Sequence, residues 1–343
     1  MKLLILTQKI DKTDPVLGFF HRWVEEFAKH SELVTVICLY EGEHNLPDNV
    51  RVLSLGKEEG VSRLTYVIRF YKYIFTLRKN YDSVFVHMNT EYIILGAILW
   101  KILRKKVALW YNHQHAGLMA RFSFLLPQHI FYTADKAYAA RVSKSHQMPV
   151  GVDSDFFKGN KDVSKKPRSI LFLSRISPVK RLDVLIEAVS ILTERGIECT
   201  LSVYGDVPER DKKHYDSIYK SARALVDKGV IFFKGSISTS TAPTIYNEYE
   251  IYVNLTNSGS FDKTIIESAC SETITLVSNT TLEGDFETEY LFKEGDALDC
   301  ANKLQNLLGM DISKKKKAGM QFRLFGLKHD VNILVQKITE YLE

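Results

Sequence analysis

Residues 170–189 read ILFLSRISPVKRLDVLIEAV and carry the strongest local pattern in the chain. An apolar run of strand length is followed by apolar residues at helical spacing, which predicts a strand, a loop and an amphipathic helix. Arg175 and Lys180 lie in the predicted loop. A planar guanidinium and a compact ammonium can together neutralise a diphosphate, although basic side chains at a helix start can also be plain solvated surface.

The same strand and helix pattern recurs on both sides of this stretch. The predicted strands are residues 3–6, 34–39, 84–87, 107–110, 170–173, 201–204, 230–233, 251–255 and 274–277, with helices such as 19–29 and 66–78 between them. This alternation is typical of parallel sheets covered by helices on both faces. The charged, aperiodic segment 154–168 predicts a linker. We therefore expect an α/β protein with two doubly wound, Rossmann-like domains facing a cleft.

Ligands of such sheets bind beyond the carboxyl ends of the strands, so the loops at those ends are the places to look for chemistry. They open at Thr7, Tyr111, Ser174, Gly205, Gly235 and Thr256.

Length and composition fit this expectation. The 343 residues are 45% apolar and 25% charged, a globular composition that is too long for one compact core. The most apolar stretch, residues 92–100, is far shorter than the roughly 20 residues of a membrane-spanning helix. The N-terminal apolar run lacks a cleavage site and is interpreted as a strand. Four scattered cysteines indicate neither zinc nor disulfides, which favours a reducing cytoplasm.

The basic surplus belongs to the first half of the chain. Residues 1–153 hold 20 Lys+Arg and 14 Asp+Glu, whereas residues 154–343 hold 26 and 27. Residues 61–81 contain five basic and six Phe or Tyr residues without an acid, and residues 101–106 form a second basic cluster. The helix predicted within residues 61–81 has two interpretations. It packs on a core with a solvated basic face, or it contacts anionic lipid or a lipid-linked substrate. Nucleic acid is not an expected partner, because no binding motif is present.

A second pattern lies in residues 251–278, IYVNLTNSGSFDKTIIESACSETITLVS. A buried strand leads into a Gly/Ser loop and a short helix, whose free N–H groups can bind phosphate. Glu267 falls about one turn inside this helix. Its carboxylate could accept both hydrogen bonds of a ribose diol, although an acid there also stabilises the helix dipole without any ligand.

These two segments, in this order in the second of two similar domains, resemble the family 4 retaining glycosyltransferases, which have the GT-B fold. Arg175 to Lys180 is similar to the family's Arg-x4-Lys donor-phosphate motif, and residues 261–267 to the C-terminal part of its Glu-x7-Glu motif. Residues 151–153 with Phe156 resemble the turn entering the linker, and residues 110–115 the segment that places a His in the cleft.

The resemblance implies roles for individual residues. Arg175 and Lys180 would bind the donor diphosphate, Glu267 the ribose hydroxyls, and the amides around Lys263 and Thr264 the phosphates. Gly18 would let a loop of the first domain approach the donor sugar. Further donor contacts would come from Gly205, Ile237, Gly259, Ser260 and Phe261. His113 or His115 would contact the sugar hydroxyl beside the acceptor, with His113 favoured.

One position departs from the family pattern. Gly259 stands where the family has its first glutamate, which touches the transferred sugar. Asp262 or a nearby backbone amide is expected to take over that contact, so Asp262 joins His113 and His115 as a candidate catalytic residue.

The expected domains are residues 1–153 with helix 330–343 crossing back, which would bind the acceptor, and residues 154–329, which would bind the donor. The resemblance implies retaining transfer from a nucleoside diphosphate sugar, UDP before GDP, to a hydroxyl of a glycan or polyprenyl-linked acceptor in surface polysaccharide or glycoconjugate synthesis. No cofactor and no metal are expected. A cytoplasmic location is predicted, with contact to the inner face of an anionic membrane left open.

Other chemistries remain as alternatives. A sugar-nucleotide epimerase or another non-transferring enzyme would keep the nucleotide site on the same scaffold. The spacing of His113 and His115 also suits a metal-binding pair in a hydrolase, although no third ligand is near in sequence. Asp153 and Asp155 match a metal-binding D-x-D, but they lie at the linker rather than at a strand end. The chain lacks a P-loop and a G-x-G-x-x-G after the first strand, which disfavours NTPase and dinucleotide chemistry.

Overall fold

The computed structural model describes residues 1–14, 16–259 and 261–343. The chain forms two compact units: unit 1 comprises Met1–Gly151 with Asp330–Glu343, and unit 2 comprises Val152–His329. Gly151 ends the first part of unit 1 at a positive φ of 75°. A Cβ there would lie 2.4 Å from Leu334 and 2.8 Å from Trp23, so only glycine fits this turn.

Unit 1 is built on a parallel sheet in the order β3-β2-β1-β4-β5-β6-β7. The strands are β1 Lys2–Ile10, β2 Leu33–Glu41, β3 Val50–Ser54, β4 Ser83–His87, β5 Lys106–Trp110, β6 His129–Tyr132 and β7 Ser145–Gln147. The helices between them are α1 Gly18–Lys29, α2 Arg63–Thr76, α3 Thr90–Ile102 and α4 Leu118–Ser123.

Alternating side chains of the central strands supply two separate cores in unit 1. Leu3 and Ile5 face one side of the sheet with α1, while Leu4 and Leu6 face the other side with α2 and α3. Phe70, Ile74, Tyr92, Ile93, Trp100 and Phe124 complete the second core. Helices α2, α3 and α4 therefore form one layer over one face of the sheet.

Unit 2 repeats this plan in the order β10-β9-β8-β11-β12, also with parallel strands. Its strands are β8 Lys166–Leu173, β9 Thr200–Tyr204, β10 Ile231–Gly235, β11 Tyr249–Asn254 and β12 Ile274–Val277. Its helices are α5 Leu182–Glu194, α6 Lys212–Asp227, α7 Ala242–Glu248, α8 Lys263–Cys270, α9 Ala297–Leu308 and α10 Ile312–Leu327. Short 3-10 turns cover Tyr138–Arg141, Pro178–Lys180, Glu209–Asp211, Thr239–Thr241, Thr280–Leu282 and Thr288–Tyr290.

The last helix, α11 Val331–Leu342, returns to unit 1. Five of its buried side chains join the core beneath α1, namely Val331, Leu334, Val335, Ile338 and Leu342. Asn332 Nδ2 donates to Glu26 Oε1 of α1 at 2.9 Å, and Ser83 Oγ donates to the carbonyl of Leu342 at 2.6 Å. The two doubly wound sheets and the returning C-terminal helix confirm the predicted fold class.

Two sequence expectations differ in detail from the structure. Strand β8 begins at Lys166, inside the segment expected to be linker, because its first three residues are exposed and show no apolar pattern. Helix α2 spans Arg63–Thr76 rather than the predicted 66–78, and it exposes Leu64, Ile68 and Phe75 while burying Phe70 and Ile74. In the part of the chain that the structure describes, no helix has both the length and the apolar character needed to cross a membrane.

Candidate active site

The candidate site lies at the carboxyl edge of the sheet in unit 2, where β8 and β11 are neighbours. Strand order reverses here, because β9 and β10 lie on one side of β8 and β12 lies on the far side of β11. Loops that leave such a switch point diverge and open a crevice, which is where ligands of doubly wound sheets bind. Both predicted donor motifs start from these two strands.

An ion pair joins the two motifs across the switch point. Lys180, at the end of the 3-10 turn after β8, places its ammonium against the carboxylate of Asp262, which precedes α8. The same ammonium donates to Thr256 Oγ1 at 3.1 Å. The Lys180 and Asp262 side chains are only 14% and 13% exposed, so solvent screens this pair much less than a surface pair.

Asp262 is the N-cap residue of α8, and the Thr264 amide donates to its Oδ1. Its Oδ2 accepts further hydrogen bonds from Thr256 Oγ1 at 2.9 Å and Asn254 Nδ2 at 3.2 Å. Burial alone would raise the pKa of this carboxyl. The charge of Lys180 and the hydrogen bonds from Lys180, Asn254 and Thr256 outweigh burial and lower the pKa of Asp262 to about 2.

Glu267 lies one turn inside α8, and its pKa is shifted in the opposite direction to that of Asp262. Burial, together with the nearby charge of Asp262, raises its pKa to about 7, although Lys263 and a hydrogen bond from Tyr246 oppose the shift. Tyr246 Oη donates to Glu267 Oε2 at 3.2 Å. Burial lowers the pKa of Lys263 to about 7. The first turns of α8 therefore hold two carboxyl groups whose environments push their pKa values apart.

Gly205 allows the Arg175 loop to close against β9. Ser174 N donates to the carbonyl of Tyr204 at 3.1 Å, and Ile176 N to that of Asp206 at 2.8 Å. A Cβ on Gly205 would lie 1.8 Å from the carbonyl oxygen of Ser174, a backbone atom that cannot swing away. The predicted donor contact at Gly205 is thus, in this structure, a close approach of two backbone segments.

The other predicted donor residues of unit 2 surround this edge. Arg175 is exposed and makes no ion pair with any residue described by the structure. Ile237 is half-buried after β10, and Gly259 is buried with a φ of 98°. The ring of Phe261 lies 5.3 Å from that of His329. Ser260 lies outside the described residues.

Three predicted residues belong to unit 1. Gly18 begins α1, where a Cβ would lie 3.1 Å from the carbonyl of Lys12. His113 and His115 are exposed after β5. The carbonyl of His113 accepts from Tyr138 N at 2.8 Å, and that of His115 accepts from Tyr111 Oη at 2.7 Å. All three thus lie at the carboxyl edge of the first sheet.

Sequence reasoning missed the residues that hold the charged groups in place. Asn254, Thr256 and Tyr246 are buried polar residues that bond Asp262 or Glu267. A signal for two of them exists, because Asn254 and Thr256 are the first polar residues where the apolar run of this strand ends. Buried polar groups require partners, so they mark places where a strand meets other polar chemistry.

The sequence offered two metal-binding alternatives, the His113 and His115 pair and the D-x-D at Asp153. Among the described residues, no group of three or more His, Cys, Asp or Glu side chains is placed to hold a metal ion. Asp153 instead closes a turn, since its Oδ1 accepts from the amides of Asp155 and Phe156 at 3.1 and 3.0 Å. Metal independence of the reaction stays a prediction.

Part of the sequence is similar to known glycosyltransferases. Residues 167–310, entirely within unit 2, match the family model described as "Glycosyl transferases group 1". Mannosylfructose-phosphate synthase of Agrobacterium fabrum is 25% identical over 153 residues, which cover 41% of this chain and 34% of that protein. The chain thus aligns with only about a third of this curated relative.

Solved structures match over the whole chain. Anabaena HepE in complex with UDP has a TM-score of 0.79 at 16% identity, covering 99% of both chains. Sucrose-phosphate synthase of Thermosynechococcus elongatus has a TM-score of 0.74 at 15% identity, covering 99% of this chain and 98% of that one. Together with the two observed sheets, these likenesses show the GT-B fold that the sequence predicted.

Proposed function

We propose that this protein is a glycosyltransferase that uses a nucleoside diphosphate sugar, and that unit 2 binds the donor. The observation that carries the proposal is the Lys180–Asp262 pair at the switch point, which sets a cation beside the start of α8 with Glu267 one turn further on. The group 1 glycosyltransferase match, which covers this part of the chain, supports the same conclusion.

In the proposed reaction, unit 2 stabilises the leaving diphosphate. Negative charge develops on the diphosphate as the bond to the sugar breaks, and fixed cations and helix N–H groups lower the energy of that state. Arg175 is exposed and can close on a phosphate as a planar fork, while Lys180 offers a point charge. The amides at the start of α8 add to this field. We propose that these groups suffice without a metal.

Glu267 is proposed to accept hydrogen bonds from the ribose hydroxyls. Its carboxylate is held by Tyr246, which fixes one oxygen and leaves the side chain oriented. UDP is the preferred nucleotide, because HepE has been solved with UDP and with UDP-glucose and has the same fold. GDP is the second candidate.

Asp262 is proposed to position Lys180 rather than to touch the transferred sugar. Its Oδ2 already accepts from three donors, and its Oδ1 caps the helix. A carboxylate so fully bonded orients its partners instead of offering a free oxygen to a ligand. Because Gly259 has no side chain to reach the sugar, that contact would then fall to backbone amides in the Gly259 loop.

The acceptor is proposed to be a hydroxyl of a glycan or polyprenyl-linked molecule that meets unit 1, with His113 or His115 beside it. Retention would follow from front-face displacement, in which the departing phosphate oxygen takes the acceptor proton. Belonging to family 4, a role in surface polysaccharide or glycoconjugate synthesis and a cytoplasmic location remain parts of the proposal. The four buried cysteines are compatible with a reducing compartment.

Calorimetry with UDP and GDP tests the donor site. Arg175→Ala should weaken nucleotide affinity at least tenfold, as expected for loss of a charge-assisted hydrogen bond, while leaving the melting temperature unchanged, because Arg175 is exposed. The matched control is Arg223→Ala on α6, which removes an exposed pair with Asp227 and should leave affinity unchanged. Equal UDP affinities for wild type and Arg175→Ala would refute the role given to Arg175.

Turnover tests the reaction class. The protein is incubated with UDP-sugars and candidate acceptors in the presence and absence of EDTA. Acceptor-dependent release of UDP despite chelation supports metal-independent transfer. Conversion of the sugar without an acceptor would indicate an epimerase, and loss of activity with EDTA would refute metal independence.

A further inference from the structure

The outward side of the helical layer in unit 1 is unusually apolar for a surface. Helices α2, α3 and α4 cover one face of the sheet, and Tyr71 Oη of α2 donates to the carbonyl of Leu95 in α3 at 3.0 Å. Because the three helices are neighbours in one layer, their outward sides form one continuous surface, called here the layer surface.

Large apolar side chains cover the layer surface. On α2 they follow helical spacing, as expected for one stripe. Their exposed fractions are 69% for Leu64, 58% for Ile68, 42% for Tyr71, 54% for Phe75, 75% for Ile98, 72% for Ile102, 83% for Leu118, 64% for Met119, 53% for Phe122 and 73% for Leu125. Single exposed apolar residues are ordinary, but a set of this size on one face marks an interaction site.

The charge around these side chains has one sign. Residues 61–126 contain ten Lys and Arg but only two acids, Asp82 and Glu91. Among the exposed cations are Arg63, Lys72, Lys79, Lys101, Arg104 and Arg121. A partner that covers this surface must therefore offer negative charge and accept apolar side chains at the same time.

We propose that the layer surface docks onto an anionic lipid bilayer. Apolar side chains between cations suit the boundary between headgroups and acyl chains, where the apolar groups insert and the cations remain with the phosphates. The highest exposed fraction on the layer surface is that of Leu118 on α4, and Met119, Phe122 and Leu125 follow it within seven residues, which makes this corner the insertion point. The surface contains none of the proposed donor-binding residues, so the proposal stands or fails independently of the nucleotide site.

Cosedimentation of the full chain with vesicles tests this docking. We expect binding to vesicles that contain phosphatidylglycerol, little binding to pure phosphatidylcholine, and weaker binding as salt rises, because salt screens the exposed cations. Equal binding to both vesicle types, or no binding to anionic vesicles at low salt, would overturn the proposal.

Two pairs of variants separate charge from insertion. Lys72→Ala/Lys101→Ala should weaken binding about 25-fold, from about fivefold for each basic residue at an anionic surface. Phe122→Ser/Leu125→Ser should weaken it by about tenfold or more, from the loss of inserted apolar area. All four side chains are exposed, so folding should be unaffected, which unchanged circular dichroism and UDP affinity would verify.

Helix α10 in unit 2 supplies matched controls, because it also exposes cations and apolar residues. Lys316→Ala/Lys317→Ala and Ile312→Ser/Leu324→Ser should leave vesicle binding unchanged. Loss of binding in these variants alone would place the membrane contact on α10 and overturn the proposal. If Phe122→Ser/Leu125→Ser instead converts a dimer into a monomer without affecting vesicle binding, the layer surface is a subunit interface and the proposal is wrong.

Discussion

Lys180 and Asp262 are 82 residues apart in the sequence and in contact in the structure. The contact exists because the two parallel strands that precede them are neighbours, so their carboxyl ends open onto the same crevice. Two nearly buried opposite charges need good geometry to compensate for lost hydration. The additional donors from Asn254 and Thr256 provide that compensation for Asp262.

Asp262→Asn should destabilise unit 2 by about 2 kcal/mol at pH 7, because the pKa of Asp262 lies near 2 in the folded protein and near 3.8 otherwise. A lowered carboxyl pKa stabilises the fold fully above pH 3.8, and this contribution disappears as the pH falls toward 2. Urea unfolding at pH 7 and pH 3 measures the difference, which should shrink at the lower pH.

Asp183→Asn is the matched control for that experiment. It removes an exposed ion pair in which the Asp183 side chain is 46% exposed and the Arg181 side chain 35% exposed. The free energy of unfolding should change by less than about 1 kcal/mol. Equal effects of the two substitutions would mean that the Lys180–Asp262 pair contributes no more than a surface ion pair.

Donor binding should depend on the ionisation of Glu267. Its pKa is raised to about 7, so the carboxyl is neutral below that pH and then cannot accept both ribose hydrogen bonds. Affinity for UDP-glucose should therefore fall about tenfold between pH 8 and pH 6, and Glu267→Gln should abolish this dependence. UDP-glucose is preferred to UDP as the probe because it has no terminal phosphate titrating near pH 6. Calorimetry across this range gives the midpoint.

Tyr246→Phe tests whether Tyr246 sets the ionisation of Glu267, because a purely structural role of Tyr246 would not shift the pH midpoint of UDP-glucose binding. Loss of its hydrogen bond to the carboxylate should raise the Glu267 pKa, and with it the midpoint of binding, by about one unit. Tyr252→Phe is the control, because that hydroxyl bonds Thr264 and not a carboxylate. An unshifted midpoint in Tyr246→Phe would argue against Glu267 as the titrating group.

The sequence predicted the two motifs that meet at the site but not the side chains that support them. Arg175, Lys180 and Glu267 could be singled out because their types and spacing fit a diphosphate and a ribose. Tyr246 contacts Glu267 from a different helix, 21 residues away, and no local pattern marks it. Support of this kind depends on tertiary packing, which a single sequence does not display.

Among the elements, strand prediction was reliable where a strand is buried on both faces. Strands β1 and β4 sit in the middle of their sheet and read as continuous apolar runs. Strands β3, β6 and β7 were not predicted. β3 and β7 lie at the edges of the sheet with partly exposed side chains, and β6 and β7 have only four and three residues. Their pairing depends on the neighbouring strand rather than on their own pattern.

The junction of β8, β9 and the Arg175 loop depends on one missing side chain. Gly205→Ala would place a methyl group 1.8 Å from the Ser174 carbonyl, so the loop must move. We expect a loss of at least about 2 kcal/mol in unit 2 together with weaker UDP binding, because Arg175 follows Ser174 directly. Thermal unfolding and calorimetry on the same variant measure both effects.

Gly309→Ala is the control for this substitution. Gly309 ends α9 at a φ of −78°, and a methyl group added there would lie 3.4 Å from the Gln305 carbonyl, an ordinary contact. Its stability and UDP affinity should match those of the wild type. Normal UDP affinity in Gly205→Ala would show that the Arg175 loop tolerates displacement.

At the scale of the whole molecule, unit 1 is built from two stretches of chain that unit 2 separates in the sequence. The chain leaves unit 1 at Gly151, builds all of unit 2 and returns at Asp330. The apolar pattern of residues 331–342 predicts a helix, but only the family resemblance indicated which unit it joins. Five of its buried side chains belong to a core whose other buried residues all precede unit 2 in the sequence, and no periodicity can reveal that connection.

Leu334→Ala should therefore destabilise unit 1, although residue 334 follows unit 2 in the sequence. Leu334 is fully buried against the core beneath α1 and touches the turn at Gly151, so truncation should cost about 2–5 kcal/mol. Hydrogen exchange should show lost protection in peptides from β1 and α1, with unit 2 peptides unchanged. Leu307→Ala on α9, equally buried, should give the reverse pattern. Loss of protection in unit 2 alone for Leu334→Ala would contradict the assignment of α11 to unit 1.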